Sequence, residues 1–186
     1  MKTVCLPILA LVLAVACQND DSGSGSRVDA VAPRPVVIPA GGGEQRLMRG
    51  GTAPLLIKID PTNTGSRHMV LGSSDLPPGD AIGVHRHLQE DEIIVITRGT
   101  ARVQLGREIT TASAGATVFI PKGTCIGVTN VGADTLSNFF VFSAPGFERA
   151  LRAVSSAPGE PPKPLTPQLR QSAFHDAGAV ADPTDC

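Results

Sequence analysis

The chain has 186 residues, 41% apolar and 18% charged, with a formal net charge of −1; that suffices for one domain with a real core and not for two comfortable ones. With no basic stripe, no Trp or Tyr and only six Phe, it offers nucleic acid neither a phosphate-binding track nor a stacking platform. Missing Tyr also excludes phenol-based chemistry, while twenty Gly and sixteen Pro favour tight turns and an all-β architecture.

At the N-terminus, Lys2 precedes an apolar run over 6–16 that is too short to span a bilayer as a stable helix and has the layout of a secretory signal. The run ends in Leu13-Ala-Val-Ala16-Cys17, which resembles a bacterial lipobox, with Ala14 where such motifs more often carry Leu. The resemblance implies cleavage before Cys17 and lipidation of Cys17, giving an exported protein held on the cell envelope by acyl chains. The alternative is an ordinary signal peptide that ends near Cys17. Beyond the signal, which holds only Lys2, 15 Lys+Arg stand against 17 Asp+Glu, a charge of −2. Residues 18–26 are polar and Gly/Ser-rich, the composition of a flexible tether. Cys5 departs with the signal, so Cys125 and Cys186 remain, either as a disulfide pinning the tail to the body or as two independent thiols.

Residues 17–44 read as linker and arm, with Pro35-Val-Val-Ile-Pro39 either laid on a sheet or simply linking. From 45 to 143 the chain reads as short strands at 55–59, 68–71, 82–88, 92–97, 101–105, 109–112, 117–120, 126–129 and 136–142, separated by Gly/Pro turns. Such spacing implies a sandwich or barrel. Residues 144–186 form a tail, with helical spacing over 147–155 that puts Phe147, Leu151 and Val154 on one side. A second short helix is expected from Pro167 to Phe174, capped by Thr166.

The chemistry sits in Gly79-Asp-Ala-Ile-Gly-Val-His85-Arg-His87-Leu-Gln-Glu-Asp-Glu92. In a strand, residues i and i+2 share a face, so His85 and His87 aim at one point, and Glu92 can return to it from the next strand. Two imidazoles and a carboxylate with open positions suit a divalent metal: Fe(II), with Mn, Ni or Zn as alternatives. Glu90 and Asp91 are rival carboxylates, but the apolar run 93–96 starts a strand at Glu92, so they read as a solvated acidic turn. His68 and His175 read as surface histidines. Ile94 and Ile96 share the parity of Glu92 and would line the interior.

The spacing from Gly79 through His85, His87 and Glu92 to Gly99 resembles the first motif of the cupin superfamily. Gly115, Pro121, Gly123 and Asn130 fit the second, with Ile126 standing where that motif carries a fourth ligand, a histidine. The resemblance covers about residues 50–143 and implies an all-β, double-stranded β-helix (a jelly-roll barrel) with a short helical and extended C-terminal tail. It implies metal ligands His85, His87 and Glu92, and Cys125, beside Ile126, facing away from the site. The pocket should be apolar with one charged cluster, fit for a small molecule; Phe119, Phe139, Phe140 and Phe142 are its candidate walls. Two functions follow: a non-haem metal dioxygenase-like enzyme, or a non-catalytic ligand-binding module tethered to the envelope. Sugar epimerases of this superfamily are excluded by the missing Tyr, and homodimers through a sheet edge are allowed.

Overall fold

The computed structural model describes residues 31–186, so the signal segment and Cys17 lie outside the described residues. Eleven strands and two α-helices follow one another: β1 (Glu44–Met48), β2 (Ala53–Ile59), β3 (Val70–Leu76), β4 (Ala81–His87), β5 (Glu92–Arg98), β6 (Thr100–Leu105), β7 (Glu108–Ser113), β8 (Thr117–Ile120), β9 (Cys125–Asn130), β10 (Leu136–Phe142), α1 (Glu148–Ala153), α2 (Pro167–Asp176) and β11 (Ala179–Ala181). They form two antiparallel sheets, ordered β1-β2-β3-β10-β5-β8 and β11-β4-β9-β6-β7. The all-β jelly roll with a short helical tail, expected from the sequence, is the architecture found. Among the described residues, no helix is long and apolar enough to cross a membrane.

Alternation explains how this sequence closes into a barrel. In β5, Glu92, Ile94 and Ile96 are buried while Ile93 and Val95 face outward, a period of two that sends one face to the core. β10 alternates likewise, with Leu136, Asn138, Phe140 and Phe142 inward. The core rests on aliphatic side chains such as Ile57, Ile96, Ile126 and Val103, all 0% exposed. Burying each contributes about 1.5–3 kcal/mol. The turns between strands use left-handed backbone at the expected motif glycines; Gly99, at φ 83°, is the tightest, because a Cβ there would meet the backbone of Thr135 and Leu136 at 3.0 Å.

The departures from expectation have local causes. β3 runs to Leu76 rather than stopping at Leu71, although Gly72-Ser-Ser-Asp75 is a poor strand sequence. It is held by ladders on both sides, to β2 and β10, and Gly72 is needed because a Cβ would fall 2.2 Å from the Phe140 ring. β1 and β11 lack an alternating pattern and were not expected. β1 is secured by β2 and by Leu47, which exchanges backbone hydrogen bonds with Ser156 at 2.9 and 3.0 Å. The proline arm ends against the sheet: the buried Lys58 ammonium donates to the carbonyls of Pro39, Ala40 and Gly42 at 3.0, 2.6 and 2.8 Å. Both tail helices form, α1 one residue shorter at its start and two at its end than the spacing suggests, and α2 with the Thr166 hydroxyl accepting from Leu169 N at 3.1 Å.

Candidate metal centre

A β-bulge sets the direction of the two histidines. β4 pairs with β9 as Ile82↔Val128 and then His85↔Ile126, so three steps on β4 match two on β9. The extra residue, at Gly83–Val84, resets the strand's phase so that Ile82, His85 and His87 can all face inward; bulges commonly re-aim side chains beside functional sites. The displaced carbonyl of Gly83 then accepts from His85 Nδ1 at 3.0 Å. A carbonyl only accepts, so the ring hydrogen is on Nδ1 and the Nε2 lone pair is free. His87 is held in the same way: its Nδ1–H donates to Glu90 Oε1 at 2.8 Å.

The two free Nε2 atoms face each other at 3.2 Å, and Glu92 Oε2 lies 3.3 Å from His87 Nε2. All three residues are at least 95% buried, with one donor atom of each within 4.8 Å of the others. Glu92 Oε2 has no hydrogen-bond partner; its contact with His87 has ion-pair distance without hydrogen-bond geometry. A buried, orphaned carboxylate oxygen beside two converging lone pairs is costly on its own and is satisfied by a cation. The backing of each imidazole by a carbonyl or carboxylate is the arrangement that orients metal-bound histidines. The donor set therefore fits a divalent metal.

Glu90 overturns the sequence reading. It is 1% exposed, not part of a solvated turn, and it is the clamp behind His87. Nothing in its position marked it, since an acidic residue between a strand end and Glu92 reads equally well as solvated. Asp91, half-buried, does cap a turn, accepting from Lys122 N at 2.9 Å. His68 and His175 are exposed, as expected. Ile126, 0% exposed, sits opposite His85 in the site wall. Cys125 turns away from the cavity and is disulfide-bonded to Cys186, with Cα atoms 6.1 Å apart. The motif residues Gly123 and Asn130 brace the site: Gly123 N donates to His87 O at 2.7 Å, and the Asn130 amide donates to Leu76 O and Asp134 O at 2.9 and 2.8 Å.

The tail completes the enclosure. Phe147, just before α1, stacks on His85 at 5.7 Å and meets His87 edge-on at 4.4 Å, and Phe174 of α2 meets His85 edge-on at 5.6 Å. Phe140 and Phe142 line the cavity as expected, whereas Phe119 and Phe139 face outward, 58% and 38% exposed. The walls from the helices were not anticipated, because nothing in a helical spacing says which strand it will cover. Beside the donor cluster lies a cavity of about 400 Å³, bounded by Leu55, Ile94, Val128, Phe140 and Leu151 among others, a size in the range of small-molecule sites.

Burial, and then the positive charge of His87, push His85 down to about 3. Burial also pushes His87 down, but its hydrogen bond to Glu90 and the carboxylate of Glu92 outweigh it and raise His87 to about 9. Without metal, one proton on His87 therefore takes the place between the three donors. A raised His87 contributes stability that is complete below its unfolded pKa of about 6.5 and is lost as pH rises through 9. A depressed His85 means the unfolded chain binds the extra proton first, so stability falls as pH drops from about 6.5 toward 3. The metal-free protein should therefore show a melting temperature that peaks near pH 6.5 and declines on both sides. Scanning fluorimetry in chelator across pH 4–10 checks this, and added metal should flatten the alkaline limb, because the metal replaces the proton.

Comparison with known proteins agrees with this fold. Residues 72–142 match the family of cupin domains, Cupin_2. That stretch contains all three donors, Glu90 and Ile126. Solved structures of similar fold include a predicted oxalate decarboxylase from Thermotoga maritima, 23% identical with a TM-score of 0.53, covering 59% of this chain and 99% of that one. The structure of KdgF from Halomonas sp. is 16% identical with a TM-score of 0.51, covering 59% and 94%. A Lactobacillus farciminis oxalate decarboxylase, in a formate complex, is 18% identical with a TM-score of 0.50, and 55% of this chain matches 31% of it. At these identities the likeness shows the fold. No curated protein matches the chain. Together the domain match and the shared fold support a cupin domain over residues 72–142, the stretch that holds the His-His-Glu group.

Replacing Ile126 by His should restore a fourth donor opposite His85. Metal affinity is expected to rise by at least the 10–100-fold that even an outer-shell partner is typically worth. Titration of the metal-free protein with Ni(II) or Zn(II) reads this directly, and an unchanged affinity would mean that a side chain at 126 cannot reach the centre.

Proposed function

We propose that this chain is a metal-dependent cupin that binds a small, largely apolar molecule beside a divalent ion held by His85, His87 and Glu92, with dioxygenase-like chemistry as its activity. The convergence of two clamped imidazoles on the unpaired Glu92 Oε2 carries this reading. When bound, such an ion supplies Lewis acidity or redox chemistry at positions that three protein donors leave open. The chain's own residues do the rest. Gly83 O and Glu90 fix the tautomers, the aliphatic and Phe walls make the cavity apolar, and Ile126 offers no donor on the side facing His85.

The second reading is a non-catalytic ligand-binding module. What favours it is that, among the described residues lining the cavity, the buried acids and bases are His85 and Glu92, both metal donors, which leaves no separate buried group there to move a proton. We also propose export and lipid anchoring at Cys17. The Cys125–Cys186 disulfide supports export, because such bonds persist in oxidising compartments.

Elemental analysis of the purified domain, followed by oxygen uptake with small phenolic substrates, separates the two readings. Near-stoichiometric metal with turnover favours the enzyme, and bound ligand without turnover favours the module. A protein that neither holds nor takes up metal would remove the metal-dependent enzyme and favour the ligand-binding module.

A further inference from the structure

We propose that the ligand of this cavity is an amphipathic small molecule with an anionic head, a carboxylate above all, and that Arg49 and Arg170 form its head-group subsite. This deepens the function proposed above and rests on its reading of the cavity as a ligand site. Both arginines line the cavity, and both come from outside the stretch that matches the cupin domain. Arg49 is in the short turn after β1, and Arg170 is on α2.

Each guanidinium is held from behind. Arg49 donates to the Asp80 carboxylate and the Ala81 carbonyl. Arg170 donates to the Asp182 carboxylate and, at 3.0 Å, to the Val84 carbonyl, with its guanidinium carbon 4.9 Å from the Phe174 ring centre. Asp80 and Asp182 are not part of the cavity wall, whereas the two arginines are. The aspartates therefore orient the cations without occupying the space in front of them. Burial, and then the charge of Arg170, press the Arg49 guanidinium below its ordinary value, so two cations share one mouth with repulsion that an anion would relieve.

β4 places this subsite against the metal centre. Arg49 is tied at Ala81, Arg170 at Val84, and the donors are His85 and His87. At roughly 3.3 Å per residue, the head-group end is about 13 Å along the strand from His85 for Arg49, and closer for Arg170. Gly83, exposed between them, has no side chain to close the entry, and a Cβ there would stand 3.1 Å from Arg170. Between the two ends the wall is apolar, with Leu55, Ile82, Val128 and Phe140. Asp75 also borders the cavity, but strand alternation with the buried Leu76 and Gly72 puts its carboxylate on the outer face of the sheet. The subsite thus has two inward cations and an apolar body beyond them. Bidentate guanidinium recognition favours a carboxylate over a neutral head.

Three probes with one body decide it: 3-phenylpropionate, 3-phenylpropan-1-ol and 3-phenylpropylamine, titrated calorimetrically into the full chain after chelator treatment and again with Zn(II). The expected result is that the carboxylate binds at least tenfold tighter than the alcohol and the amine binds weakest. In the Arg49→Gln/Arg170→Gln double variant that preference should vanish while alcohol binding is unchanged, which also reports an intact fold. Arg170→Lys alone should retain part of the preference. Equal binding of all three, no binding of any, or a preference that survives the double variant would overturn the proposal. A preference that exists only with Zn(II) and ignores the arginines would mean the carboxylate ligates the metal, which overturns the subsite and leaves the metal site standing. A protein that takes no metal but keeps the arginine-dependent preference would do the reverse.

Discussion

Glu92→Ala should abolish metal uptake while leaving the fold in place. The loss is expected to exceed the roughly 10–100-fold typical of changes behind the ligands, because Glu92 is the only carboxylate among the three donors and its Oε2 has no other partner. Of the three donors two imidazoles then remain, and Glu90 is occupied by His87 Nδ1. The readout is linkage. A metal present at 100 times its dissociation constant stabilises the wild-type protein by about 2.7 kcal/mol, seen as a higher melting temperature, and the variant should gain nothing. His85→Ala and His87→Ala should behave alike, and the exposed His68→Ala and His175→Ala should not. If Glu92→Ala still holds stoichiometric metal, the cation lies elsewhere, and the three-donor centre is wrong.

How far this was legible in the sequence depends on whether the governing interaction was local. His85 and His87 converge because strand alternation is a two-residue rule, and Ile94 and Ile96 follow from it. The bulge at Gly83–Val84 is not visible that way, since it exists only in the pairing with β9. It nevertheless decides what holds His85 Nδ1. Glu90 was misread for a related reason: burial of an acid depends on a partner, and that partner, His87 Nδ1, is available only once the ring has turned its Nε2 inward. The tail's contribution was the least visible. Phe147 sat on a recognisable helical face, but its stacking on His85 is a tertiary fact. Arg49 and Arg170 lie 121 positions apart in number and meet only because β4 binds both through Ala81 and Val84.

Cys186→Ser should destabilise the protein by about 4 kcal/mol, the loop-entropy value for a bridge of this span. The bridge closes a sequence separation of 61 residues, and β11 is only three residues long. A strand that short contributes little pairing of its own, yet it lies against both histidines: Ala179 opposite His87 and Ala181 opposite His85. Its other ties are few: Leu88 N to Gly178 O at 2.9 Å, Asp182 N to Val84 O at 3.0 Å, and the Arg86–Asp185 and Arg170–Asp182 pairs, whose aspartates are exposed. Surface pairs of that kind contribute about 0–1 kcal/mol. The covalent link is therefore what keeps the edge of the site closed. Urea unfolding of the oxidised wild type against the variant gives the magnitude, and amide exchange at Leu88 and Asp182 locates it. The expected pattern is early exchange at those two amides in the variant, with the β5 and β10 amides still protected. Equal stabilities within about 1 kcal/mol would show that the buried apolar residues of α2, Ala173 and Phe174, already hold the tail. The disulfide would then be dispensable to the closure of the site.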